Sequence, residues 1–185
     1  KKKKKAHFAA SQQADLRGSW LFKDDFGRNV LSFLDGGRYI IAHSNADDGD
    51  QEAATAEWGT YTWDPVSGDF SLTVSGESDG TGGLSDLSGE TVTLQLVDNQ
   101  FILTVSEELA DDQFVENTVT FSAVESSTDS LVGAWYLAEE GGAFNVLTIL
   151  DSSRYTIAHN ANEESYEGDS SIAVSSEWGT YSVSG

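Results

Sequence analysis

The chain has no cysteine, no methionine and one proline, Pro65, among 185 residues. Without cysteine there are no disulfides, no thiolate metal sites and no lipid anchor on a cysteine, and the fold must rest on its apolar core. Without methionine, an initiating one included, the sequence reads as a processed chain or a fragment. Basic residues are scarce: ten Lys and Arg stand against 31 Asp and Glu, for a net charge of −21. Lys1 to Lys5 are half of those ten, so residues 6–185 carry five basic groups against 31 acidic ones, a net −26. A surface this negative repels nucleic acid and anionic membranes, so nucleic acid is not expected as a partner. No run approaches the roughly 18–20 apolar residues of a spanning helix, and no membrane span is expected. The Lys run leads into Ala6-His-Phe-Ala-Ala-Ser-Gln-Gln13, which has no apolar signal-peptide stretch. Residues 1–15 therefore read as a basic N-terminal tail or tag.

Aromatic residues are plentiful. Five Trp, six Tyr and nine Phe can fill a core with few side chains, because each buries a large area. The strongest signal is self-similarity. Asn29-Val-Leu-Ser-Phe-Leu-Asp-Gly-Gly-Arg-Tyr-Ile-Ile-Ala-His43 returns as Asn145-Val-Leu-Thr-Ile-Leu-Asp-Ser-Ser-Arg-Tyr-Thr-Ile-Ala-His159, identical at ten of 15 positions at an offset of 116. Leu16-Arg-Gly-Ser-Trp20 matches Leu131-Val-Gly-Ala-Trp135, and Glu57-Trp-Gly-Thr-Tyr61 matches Glu177-Trp-Gly-Thr-Tyr181 at an offset of 120. The drift places an insertion in one acidic loop, 160–176 against 44–56, as expected of a surface connection. A complete repeat is thus read over 16–124, a polar linker over 125–130, and a partial second repeat over 131–185 that lacks counterparts of 66–124.

Period-2 alternation and turn residues predict eight strands in the first repeat, roughly 18–22, 29–34, 38–43, 57–63, 69–76, 91–97, 101–107 and 115–124. Phe70, Leu72 and Val74 alternate with Ser71, Thr73 and Ser75; Val92, Leu94 and Leu96 alternate with Thr91, Thr93 and Gln95. One buried and one wet face is the antiparallel pattern. The expected fold is all-β: an antiparallel up-and-down meander or barrel of about eight strands, followed by about four strands of a partial second copy. Four strands cannot close such a barrel. They must pack on the first repeat, recruit strands from a neighbour, or belong to a longer array.

Gly18-Ser-Trp20 and Gly133-Ala-Trp135, each opening a meander, resemble the Gly-x-Trp start of calycin barrels such as lipocalins and avidins, in which the Trp plugs one end of the barrel. Lipocalins pack a basic residue of the last strand on that Trp, whereas residues 117–125 here hold no Lys or Arg. The fuller pattern of Gly-x-Trp, Asn-Val-Leu-x-x-Leu-Asp-x-x-Arg-Tyr, an acidic loop, Glu-Trp-Gly-Thr-Tyr-Thr-Trp-Asp and then Gly80-Thr-Gly-Gly-Leu-Ser85 resembles a repeat of uncharacterised bacterial secreted and surface proteins. That resemblance implies a modular, secreted or cell-surface location and carries no activity.

The candidate sites follow. If the barrel takes a small apolar ligand, Trp20, Tyr39, His43, Trp58, Tyr61 and Trp63 are the residues to line it, although bulky residues in nearly every strand point to a filled interior. His43 and its counterpart His159 share a face with Tyr39 and Tyr155, and read as locally hydrogen-bonded rather than as metal ligands. Glu57 and Glu177 read as rim residues. Asp47, Asp48, Asp50, Glu163, Glu164 and Asp169 in the acidic loops offer oxygen ligands for weakly bound calcium, without the EF-hand spacing; no other cofactor is expected. Gly76-Glu-Ser-Asp-Gly80 fits Gly-x-Ser-x-Gly by letter, but a nucleophile elbow needs a helix after it and Thr81-Gly-Gly-Leu-Ser85 is a loop. No enzyme is expected. The leading expectation is a structural or interaction module of an extracellular or cell-surface bacterial assembly, its partner a second copy of itself in a filament or layer; the alternative is a calycin-like binder of a small apolar ligand.

Overall fold

A computed structural model describes residues 6–7, 15–23, 28–44, 54–78, 83–87, 89–109, 113–126, 128–160 and 174–184. Eight consecutive strands form a closed antiparallel up-and-down barrel: β2 (Gly18–Lys23), β3 (Arg28–Leu34), β4 (Arg38–Ser44), β5 (Ala54–Trp63), β6 (Asp69–Glu77), β7 (Thr91–Val97), β8 (Gln100–Leu109) and β9 (Gln113–Ala123). Every predicted strand is present, and the main difference is that β5 starts earlier, at Ala54. A second sheet holds β10 (Gly133–Ala138), β11 (Phe144–Ile149), β12 (Arg154–Asn160) and β13 (Val174–Thr180), with the two-residue β1 (Ala6–His7) on the outer side of β10.

Turn chemistry sets the first hairpin. Gly36 and Gly37 both take positive φ, 77° and 67°, which L side chains rarely adopt. The second repeat has Ser152-Ser153 there, and its bend is held instead by the Asp151 carboxylate, which accepts from the Ser153 and Arg154 amides at 2.9 Å each.

The barrel closes where β2 meets β9, Trp20 opposite Ala123 and Leu21 opposite Ser122. Among the described residues its interior is packed with aromatic and aliphatic side chains. Phe33, Phe70, Phe101 and Phe121 are buried, with Phe101 stacked on Phe121 at 4.5 Å and Trp20 edge-on to Phe101 at 5.1 Å. Such ring pairs favour a dry, well-defined core.

A second core lies between the two sheets. Leu34, Ile40, Ala42 and Ala56, on the outer face of the barrel, pack with Phe144, Val146, Ala158 and Val174 of the second sheet, flanked by Trp58 and Tyr136. Equivalent strands meet: β10 lies against β2, β12 against β4 and β13 against β5. The partial repeat packs on the complete one within the chain, as the first of the three outcomes expected. This corrects the expectation of a single buried face. β6, β7 and β9 keep one wet side, whereas β3 and β4 are buried on both, as Val30 to Leu34 and Tyr39 to Ala42 show. The contact is polar as well as apolar. Ser176 Oγ donates to the Thr55 carbonyl at 2.6 Å, and the Arg38 guanidinium lies over the rings of Phe144 (5.1 Å) and Tyr136 (5.7 Å), donating to the Tyr136 hydroxyl at 3.2 Å.

Candidate functional site

Because the second sheet docks through the face equivalent to the barrel's outside, it turns the equivalent of the barrel's inside away from the first repeat. Three hydrogen bonds of that inner wall recur in the second sheet. Trp20 Nε1 donates to the Leu16 carbonyl at 2.8 Å, and Trp135 Nε1 to the Leu131 carbonyl at 3.3 Å. The Tyr61 amide donates to the Gly37 carbonyl and the Tyr181 amide to the Ser153 carbonyl, both at 2.7 Å. The Tyr39 hydroxyl donates to Glu57 Oε1 at 2.6 Å, and the Tyr155 hydroxyl donates likewise to Glu177.

The cover differs. In the barrel, β6 to β9 lie over this wall; among the described residues nothing equivalent lies over β10 to β13. Leu16 is 2% exposed and its counterpart Leu131 49%. Phe22 and Trp63 pack on the barrel core, while their counterparts Leu137 and Val183 are 40% and 72% exposed. Three of the protein's exposed large apolar side chains thus stand where the first repeat has core residues. Trp135, Leu147, Tyr155 and Ile157 are half-buried on the same face. This face of the second sheet is therefore more exposed than its counterpart in the barrel.

Glu57 and Glu177 show the same contrast in polar chemistry. Glu57 sits opposite Ile41, inside the barrel and 2% exposed, which corrects its reading as a rim residue. Its carboxylate accepts from Tyr39, from the Ser85 amide at 2.8 Å and from the Leu84 amide at 3.3 Å. Burial pushes the carboxyl above its ordinary range, against the downward pull of those hydrogen bonds, and burial also raises Tyr39. Gly83, at φ 69°, lets the loop approach: a Cβ there would lie 2.6 Å from Glu57 Oε2. Glu177 is exposed and has the tyrosine, with no counterpart of the 83–85 loop over it among the described residues.

The six residues expected to line a ligand do not form one site. Trp20 and Tyr39 are buried in the barrel core, with Tyr61 and Trp63 packed against it. Trp58 points the other way, into the core between the sheets, 6.1 Å from the Phe144 ring. Alternation along β5 requires this once Glu57 faces inward. His43 is half-buried at the end of β4, its Nδ1 against Asn29 Oδ1, and His159 Nε2 lies 3.7 Å from Glu139 Oε2. Asp47, Asp48, Asp50, Glu163, Glu164 and Asp169, the candidate calcium ligands, lie outside the described residues. Among the described residues no three His, Asp or Glu side chains cluster as a metal site. Ser78 of the Gly-x-Ser-x-Gly letters serves the sheet: its Oγ accepts from the Ala56 amide at 2.8 Å. A cleft of about 480 Å³ opens beside the linker, with Leu21, Val124, Val132 and Leu150 among its walls. The chain matches no protein-family model, no curated protein and no solved structure.

Proposed function

We propose that the protein is a structural and interaction module of a bacterial extracellular or cell-surface assembly, and that it self-associates through the inner wall of β10 to β13, over which no described residue lies. The observation that carries this reading is the contrast between repeats: an equivalent wall, sharing three hydrogen bonds, is core in one and, among the described residues, surface in the other. A solvent-facing apolar wall of this kind gains by being covered, at about 25 cal/mol per Å² of apolar area removed from water. The acidic composition suits an extracytoplasmic setting, where screening ions and divalent cations relieve self-repulsion. The ligand-binding alternative gains no support from the barrel, whose interior is occupied by its own aromatic rings.

The test is solution mass by light scattering over a concentration series, with calcium and then with chelator. Growth of mass with concentration supports the reading. A monomer throughout, in both conditions, overturns it.

A further inference from the structure

We infer that residues 83–87 form a lid on a side opening of the barrel between β6 and β7. The Glu57 carboxylate latches it, and it lifts while the strands stay paired, giving small molecules a way into the interior. This stands independently of the self-association proposed above.

The opening follows from strand pairing. β5 pairs with β6 at seven positions, and β7 with β8 at seven. β6 and β7 pair at two, Asp69 opposite Thr93 and Phe70 opposite Val92. Beyond Phe70, β6 runs on to Glu77, while β7 begins at Thr91. Residues 71–77 therefore have β5 on one side and, among the described residues, no paired strand on the other. The chain between β6 and β7 turns inward at this gap. Ser85–Leu87 make a single 3-10 turn, Leu84 is 4% exposed, and both Leu84 and Leu87 pack on the barrel core.

The attachment is that of a lid rather than of a strand. The Leu87 amide donates to the Leu84 carbonyl at 3.0 Å and the Glu90 amide to the Leu87 carbonyl at 3.1 Å, bonds that can travel with the segment. Glu57 ties it to the strands. Its carboxylate accepts from the Leu84 and Ser85 amides at 3.3 Å and 2.8 Å, and is itself oriented by the Tyr39 hydroxyl at 2.6 Å. Breaking the two amide bonds releases the turn without disturbing a ladder pair.

Packing beneath the turn is loose. A void of about 70 Å³ remains among Leu87, Phe70, Leu72 and Val92, where a close-packed core leaves few spaces larger than a water molecule. Glycines at positive φ flank the segment, Gly83 at 69° and Gly89 at 93°, and can absorb the change of direction. A turn held by local bonds and one side chain opens at a lower free energy than the sheet around it.

The test is native-state amide hydrogen exchange on the full chain, at fixed pH and low urea, joined to maleimide labelling of Val92→Cys. The natural chain has no cysteine, so the label reports that one position. Lifting the lid exposes little surface, so exchange at Leu84 and Ser85 should be insensitive to urea and less protected than at Leu103 in β8, where exchange should rise with urea. Val92, 8% exposed at the seam, should as cysteine be labelled by the same urea-insensitive route. Val30→Cys, buried on β3, should wait for global unfolding. Glu57→Gln should speed exchange at Leu84 and Ser85 about tenfold or more. Gly83→Ala, whose Cβ would lie 2.6 Å from Glu57 Oε2, should hold the lid raised, with Leu84 and Ser85 unprotected and Leu103 still protected. Circular dichroism checks that each variant keeps its sheets, and the amide data on the natural chain decide alone where a cysteine variant fails to fold. Exchange at Leu84 and Ser85 with the urea dependence of Leu103 overturns the lid. Local exchange there without labelling of Val92→Cys overturns the way into the interior. Unchanged exchange in Glu57→Gln overturns the latch.

Discussion

Ser19 is hydrogen-bonded to a residue and to that residue's own repeat. Its hydroxyl lies 2.7 Å from Ser32 Oγ across the β2–β3 pair and 3.0 Å from Thr148 Oγ1 across the inter-sheet core, and Thr148 is the counterpart of Ser32. All three side chains are buried. Ser19→Ala leaves two buried hydroxyls short of a partner and should cost about 1–3 kcal/mol. Urea denaturation measures this, and a change below a few tenths of a kcal/mol would refute the role given to Ser19.

Gly59 and Gly179 should respond differently to the same substitution. In Gly59→Ala the new Cβ meets backbone of β6, which cannot move without breaking the ladder, and the loss should reach about 3 kcal/mol or more. In Gly179→Ala the nearest atoms are the Tyr155 ring and hydroxyl, at 2.7 Å, and the side chain can swing away from the described strands by giving up its exposed hydrogen bond to Glu177. In dilute monomer that change should cost under about 1 kcal/mol. Equal losses in thermal melts would mean that the second wall is covered after all.

Glu57 should give the barrel a pH-dependent stability. Its folded pKa is raised above its unfolded value, so the folded chain binds the proton more tightly. Stability is therefore greatest below the ordinary Glu range and falls as pH rises from there through the raised value, after which it is flat. Glu57→Gln should remove this slope; with its Oε1 kept toward Tyr39 and Leu84, its NH2 faces the Ser85 amide, donor against donor, at a cost of about 1–3 kcal/mol. Denaturation midpoints from pH 4 upward, compared between the two proteins, read the difference.

Arg38 and Tyr136 should be energetically coupled. Arg38 caps the inter-sheet core, while its counterpart Arg154 is turned aside into an ion pair with Asp151 at 2.6 Å. A double-mutant cycle of Arg38→Leu and Tyr136→Phe should return about 0.5–1 kcal/mol. Additive effects would show that the guanidinium only covers the rings.

Self-association should strengthen with salt. Two chains of net charge −21 repel, and the Debye length falls from about 30 Å at 0.01 M to about 8 Å at 0.15 M. Dissociation constants for self-association should drop several-fold across that range. Association that weakens with salt would point to an interface built on opposite charges.

The eight strands were legible because β6, β7 and β9 alternate cleanly, with Phe70, Leu72, Val92 and Leu94 inward and threonine, serine and glutamine outward. The docking of the repeats was written in the same sequence, in the near-continuous apolar runs Val-Leu-Ser-Phe-Leu and Tyr-Ile-Ile-Ala of β3 and β4, the signature of strands buried on both faces. Glu57 was misread because a carboxylate beside a tryptophan looks like the polar member of the pair. Only the register, with Glu57 opposite Ile41 and Trp58 opposite Ile40, shows which of the two enters the barrel. The donors that satisfy Glu57 are backbone amides of a loop about 27 residues on, and no local pattern marks them.

The stacking of like strands on like has an arithmetic of its own. A repeat has one outer face of this kind, and here that face is spent on its twin. A third repeat appended to the chain would find both outer faces taken and would need a fourth to cover its own. An array built from this unit would therefore grow in doublets, and parity would decide whether it ends closed or leaves one member exposed.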